Sequence, residues 1–135
     1  MYKHILVPIV LDEEHDGTRA IEVALRLAPP DAQVTLLHVM EEVPGYAISY
    51  LPEGFRAASR NAVEAAMQEK AKAFPHADTA VIEGQAGRSI LGYAEAHDVD
   101  CIVISSHRPG LGDYLLGSTT TRVVRHAQCS VHVIR

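Results

Sequence analysis

Short apolar runs alternate with amphipathic stretches along this chain of 135 residues. His4 to Ile9 (HILVPI) reads as a buried strand, and Gln33 to Met40 (QVTLLHVM), Asp78 to Ile82 (DTAVI), Val99 to Ser105 and Ser130 to Ile134 read as four further strands. A strand covered on both faces is apolar throughout instead of alternating. Thr18 to Ala28 predicts a helix with Ile21, Ala24, Leu25 and Ala28 on one face, ended by Pro29-Pro30. Phe55 to Phe74 is rich in Ala, Glu, Lys and Gln and predicts a helix of about five turns. Arg88 to His97 places Ile90, Tyr93, Ala94 and His97 on one helical face. Gly117 to His126 turns Val123, Val124 and Ala127 inward. Glu41 to Gly54 shows no clear period, and its Pro44, Gly45, Pro52 and Gly54 predict a long loop. Alternating strands and helices imply an α/β fold, one domain over residues 1–135 with a doubly wound parallel sheet and helices on both faces. Ligands on such sheets sit at the C-terminal ends of the strands, at a topological switch point.

Composition narrows the partners. The formal net charge is −5, which argues against a nucleic-acid surface, since that needs a basic patch. No segment approaches the length of a membrane span. Met1 to Leu11 imitates a signal peptide only weakly, being interrupted by Pro8 and followed by acids, so the expected location is cytoplasmic. Cys101 and Cys129 lie beside apolar strands with no C-x-x-C pattern, and reduced, buried thiols are expected for both.

The candidate chemistry lies between Cys101 and His126. The apolar run ends at Ser105-Ser106. A loop with His107, Arg108, Pro109, Gly110 and Gly112 follows, and Gly117-Ser118-Thr119-Thr120 opens a helix. A helix N-terminus carries unpaired donors and a positive partial charge, so it favours anions, and His107 and Arg108 add cationic donors. A strand-to-helix turn uses the same residues for capping alone, so the residues leave both readings standing. Two standard phosphate motifs are excluded. Gly112 and Gly117 have P-loop spacing, but Ser118 stands where the lysine belongs, and Leu115 occupies the third glycine position of a dinucleotide fingerprint.

Other constellations carry less. His126-x2-Cys129-x2-His132 has a metal-like spacing, but a helix end and a mid-strand position should not bring these side chains together. His38 is expected to pack beside the sheet, and Arg122 and Arg125 on a solvated or partner-facing side of the last helix. Tyr114, Leu115 and Leu116 read as an anchor for the loop. No Ser-His-Asp set stands in a motif context, and no catalytic or metal residue is assigned. Fast phosphoryl transfer needs a placed base and metal carboxylates, for which Asp12 and Asp113 are the nearby candidates.

The segments ILVPI, LLHVM, Glu83-Gly84 with Gly87-Arg88 and Ile90, and ISSHRPGLGDYLLGSTTTRVVRHAQCSVHVIR resemble the universal stress protein family from Tyr2 to Arg135. The S-H-R-P version resembles the small bacterial subgroup that binds ATP. The resemblance implies a five-stranded parallel sheet of order 3-2-1-4-5, a homodimer, and binding of ATP or AMP. In the family's glycine motif, Ser105 and Arg108 stand at the first two glycines, the spacer from Pro109 to Leu116 is one residue short, and Gly117-Ser118 matches the last pair. Arginine can supply phosphate charge where glycine allows close backbone approach. The family's ribose-side Asp falls at Val10, with Asp12 the next acid, and Val39 falls where the backbone meets adenine.

The implied nucleotide-binding residues are therefore Pro8, Ile9, Val10, Asp12, Val39, Ile104, Ser105, His107, Arg108, Gly117, Ser118, Thr119 and Thr120. Mg²⁺ would be held through the phosphates and water. The expected function is a nucleotide-sensing stress regulator acting on a downstream protein that the sequence does not name. The alternatives are a nucleotide-free interaction protein of the same fold, or a slow ATPase or autokinase using Ser118, Thr119 or Thr120. Self-pairing of the apolar edge strand Ser130 to Ile134 is the expected route to the homodimer.

Overall fold

The computed structural model describes residues 1–11, 17–106 and 116–135. Five strands, β1 (His4–Pro8), β2 (Gln33–Met40), β3 (Ala77–Glu83), β4 (Cys101–Ser105) and β5 (Ser130–Ile134), form one sheet of order β3-β2-β1-β4-β5. All four pairings are parallel, with Ile5 opposite both Val34 and Cys101. The chain runs outward from β1 through β2 to β3, then crosses back to β4. The switch point therefore lies between β1 and β4.

Among the described residues five helices accompany the sheet: α1 (Thr18–Leu27), α2 (Gly45–Ile48), α3 (Phe55–Ala71), α4 (Ala86–Ala96) and α5 (Ser118–His126). Successive strand side chains point to opposite faces, so the strands supply two cores. Ile5, Val7, Val34, Leu36, Cys101 and Val103 pack under α1 and α3, which contribute Ala20, Ile21, Ala24, Met67 and Ala71. Leu6, Leu37, Ile102 and Ile104 pack under α4 and α5, which contribute Ile90, Ala94 and Val123.

Local details depart from the apolar pattern. Glu41 to Gly54 contains the short helix α2, built on Ala47 N–H donating to Pro44 at 2.9 Å. Leu25 is 38% exposed and Val124 43% exposed, so neither faces the core. Each directly follows a buried residue, Ala24 and Val123, and one helical step turns it about 100° away. Cys129 is half-buried, and only Cys101 is buried; both are free thiols.

At the N-terminal end of the sheet, the Asp100 carboxylate accepts from Lys3 N–H at 2.8 Å and His4 N–H at 3.0 Å. The buried His4 ring donates from Nδ1 to the His97 carbonyl at 3.0 Å, so its neutral form takes the Thr35 hydroxyl at Nε2, 2.8 Å away. Every buried side-chain N and O among the described residues has a partner. The His4 and Asp100 bonds tie the N-terminal end of β1 to β2 and to the turn before β4.

Candidate functional site

A cavity of about 660 Å³ opens at the C-terminal edge of the sheet, within the usual size of small-molecule sites. Pro8, Ile9 and Val10 enter it from the end of β1, and Leu37, His38, Val39, Met40 and Glu41 from the end of β2. Ile104, Ser105 and Ser106 come from β4, Gly17 from the start of α1, and Ala86 and Ile90 from α4. Gly117, Ser118, Thr119 and Thr120 close it at the first turn of α5. The strand ends flanking the switch point thus form its floor.

The floor is apolar and buried. Ile9, Leu37, Ile90 and Ile104 are all buried. The β1–β2 ladder continues past β1, with Ile9 N–H donating to the Leu37 carbonyl at 2.8 Å. The Ile9 carbonyl accepts from His38 Nδ1 at 2.8 Å, which fixes the tautomer of the neutral ring and leaves Nε2 as an acceptor. Gly17 is held at φ +79°, and a Cβ there would stand 2.7 Å from Ile9 Cδ1. Only glycine lets α1 start this close to the floor.

The polar end is the N-terminus of α5. Gly117 caps it in an extended conformation (φ −62°, ψ 159°) with no side-chain cap, and the first helical bond runs from Thr121 N–H to its carbonyl at 2.9 Å. Such an end carries positive partial charge and favours anions. Two hydroxyls are already committed to the fold. Thr120 Oγ1 donates to the Ser105 carbonyl at 3.1 Å, and Ser106 Oγ donates to the Ile134 carbonyl at 3.0 Å beside its own N–H at 2.8 Å. These bonds tie α5 and β5 to the end of β4. Thr119 is half-buried, and the Ser105 and Ser118 side chains are exposed.

Among the residues implied by sequence, Pro8, Ile9, Val10, Val39, Ile104, Ser105, Gly117, Ser118, Thr119 and Thr120 come together in this one cavity. Asp12, His107 and Arg108 lie outside the described residues, as do Asp113, Tyr114 and Leu115. The sequence reading missed Gly17, Leu37, His38, Met40, Glu41, Ala86, Ile90 and Ser106. Their signal was adjacency: most directly continue a strand end or open a helix already placed at the site.

Arg125 is exposed, and Arg122 is half-buried, its stem lying across Gly87 on α4, where a Cβ would meet Arg122 Cδ at 2.9 Å. Among the described residues no three His, Cys, Asp or Glu side chains gather as a metal site. Among the described residues the displaced pKa values lie outside the cavity. Burial, then the nearby Cys129 sulfur, pushes the Cys101 thiol from 9.0 to about 11. Burial also raises Cys129, and a bond to Lys72 lowers Glu69 on α3.

The universal stress protein family model matches residues 1–135. Universal stress protein G of Salmonella typhimurium is 32% identical over 145 aligned positions, covering 100% of both chains. The solved structure of universal stress protein UspA from Lactobacillus plantarum superimposes with a TM-score of 0.74 at 28% identity, covering 99% of this chain and 98% of that one. A universal stress protein family protein from Arabidopsis thaliana, solved with AMP bound, shares the fold at a TM-score of 0.64 and 18% identity, covering 98% of this chain and 90% of its own. Two further universal stress protein structures of the same fold are complexes with dAMP and cAMP.

Proposed function

The chain belongs to the universal stress protein family, and from that premise we propose that it is a single-domain, cytoplasmic stress regulator that senses an adenine nucleotide. The observation that carries this reading is the shape of the cavity, an apolar cleft at the switch point that ends on the N-terminus of α5. A flat heterocycle suits the cleft, and phosphates suit the helix end. The adenine nucleotides held by related structures support the same class of ligand. In this reading Val39 meets adenine through its backbone. Val10 and Asp12 lie on the ribose side. Ser105, His107, Arg108 and the Gly117–Thr120 turn take the phosphates of ATP or AMP, with Mg²⁺ held through phosphate and water.

Mass spectrometry of the purified protein for bound AMP or ATP, followed by calorimetry, tests this. Micromolar-range binding of ATP or AMP, with guanine nucleotides weaker, is expected. No heat and no thermal shift at millimolar MgATP would overturn it. One observation favours a nucleotide-free interaction protein instead: Ser105 puts an exposed side chain where the family motif has glycine. Absence of any co-purified or titrated nucleotide is the outcome that selects it.

The same reading includes a homodimer through β5. The two outer edges of the sheet differ. On β3, Arg60 Nη2 donates to the outward Val81 carbonyl at 2.6 Å, and Gln68 reaches Thr79 at 2.8 Å. On β5, the Ile134 carbonyl faces β4, where it accepts from Ser106. Strand alternation therefore points the Val131 and Val133 backbone groups away from the sheet. A two-fold antiparallel pairing would satisfy them. Light scattering should give a dimer for the wild type and a monomer for Val133→Pro; a wild-type monomer at tens of micromolar refutes the interface.

A further inference from the structure

Residues 43–55 carry more apolar surface than their own packing uses. Val43, Ala47 and Leu51 recur every fourth residue and are half-buried, so they form the inward stripe of the α2 turn. Tyr46 and Tyr50, also four apart, stand 81% and 84% exposed, with Ile48 and Phe55 exposed beside them in sequence. These four are half of the large apolar side chains that are exposed among the described residues. A short helix apolar on its outer side as well as its inner side calls for something to cover it. Among the described residues nothing does so: α2 buries no residue, and the first buried residue of α3 is Met67.

Charge selects the occupant. Glu41, Glu42 and Glu53 flank the turn and are exposed. Arg56, the cation nearest to the turn in sequence, is paired with Glu83 at 2.9 Å. An acidic margin around aromatic anchors repels anionic lipid and attracts Lys or Arg. It also disfavours a second copy of this chain, whose net charge is −5. We propose that residues 43–55 form a docking surface for a basic amphipathic segment of a partner protein, Tyr46 and Tyr50 receiving its apolar face and the glutamates its cationic margin. The surface begins where Met40 and Glu41 leave the cavity wall, so the partner would sit at the cavity mouth. The assignment stands whether or not that cavity takes a nucleotide.

Fluorescence anisotropy on the full chain tests this with a labelled Leu/Lys peptide of helical apolar period. A Leu/Glu peptide of the same pattern and vesicles containing phosphatidylserine serve as competing probes. The Leu/Lys peptide should bind, and Tyr46→Ser/Tyr50→Ser should weaken it about tenfold or more. Glu42→Gln/Glu53→Gln should weaken it about threefold, while Leu25→Ser/Val124→Ser, which removes exposed apolar groups elsewhere, should not. All three variants should keep the wild-type circular dichroism. AMP calorimetry of the Tyr46→Ser/Tyr50→Ser protein should match the wild type, which separates this surface from the cavity. No binding of the Leu/Lys peptide, equal binding of the Leu/Glu peptide, preference for vesicles, or an unchanged affinity of Tyr46→Ser/Tyr50→Ser would each overturn the proposal.

Discussion

Replacing Gly84 by Ala tests how the turn between β3 and α4 is held. Gly84 sits at φ +150°, which L side chains rarely adopt, and a Cβ there would stand 2.5 Å from Ser89 Oγ. Its N–H donates to the Met40 carbonyl at 3.0 Å, so the turn cannot swing freely to escape. The backbone part should cost roughly 1–3 kcal/mol. The contact part is smaller, because Ser89 can rotate its hydroxyl for roughly 0.5–1.5 kcal/mol. Gly84→Ala should therefore destabilise by roughly 2–4 kcal/mol, lowering the urea midpoint by roughly 1–2 M. Ser89→Ala removes the Oγ and leaves a Cβ contact at an ordinary 3.9 Å. The double variant should recover only the contact part, a coupling of roughly 0.5–1.5 kcal/mol. A Gly84→Ala protein within about 0.5 kcal/mol of wild type would refute the backbone argument. Strict additivity in the double variant would refute the contact.

Two further predictions concern stability. Asp98 follows α4 at φ 54°, with Val99 N–H returning to the Ala94 carbonyl at 3.0 Å; this is a glycine-type helix stop carrying an acid at the negative helix pole. Asp98→Gly should raise stability by about 0.5–1.5 kcal/mol in urea unfolding, and a loss would mean the carboxylate has a structural role. The buried Cys101 thiol has its pKa raised to about 11, so its neutral form stabilises the fold fully below pH 9, and that contribution is lost as the pH rises toward 11. Midpoints measured from pH 8 to 11 should fall more steeply for the wild type than for Cys101→Ala, and in native protein at pH 8 iodoacetamide should label half-buried Cys129 before Cys101; equal slopes or the reverse labelling order would contradict this.

The sequence by itself determined the architecture and pointed to the strand ends where the cavity lies. Five strand-like runs separated by helical stretches imply a parallel sheet: the interior strands β1, β2 and β4 are mainly apolar because both their faces are covered, while the edge strands β3 and β5 are only partly buried. The end of β4 and the Gly117-Ser118 turn were legible because a helix start is a local signal, written within a few adjacent residues. The tertiary structure decided which polar groups at that site are still available. Ser105, Ser106, Thr119 and Thr120 look alike in sequence, yet Thr120 and Ser106 are bound to carbonyls 15 and 28 residues away. Likewise, the donation from His38 to Ile9, the Arg122 stem over Gly87 and the Arg60 guanidinium on the β3 edge all join elements distant in sequence. Packing also set which neighbour of a buried residue is exposed, as at Leu25 and Val124. Periodicity reports which face of an element is apolar; only packing settles how wide that face must be and which distant atom each polar group meets.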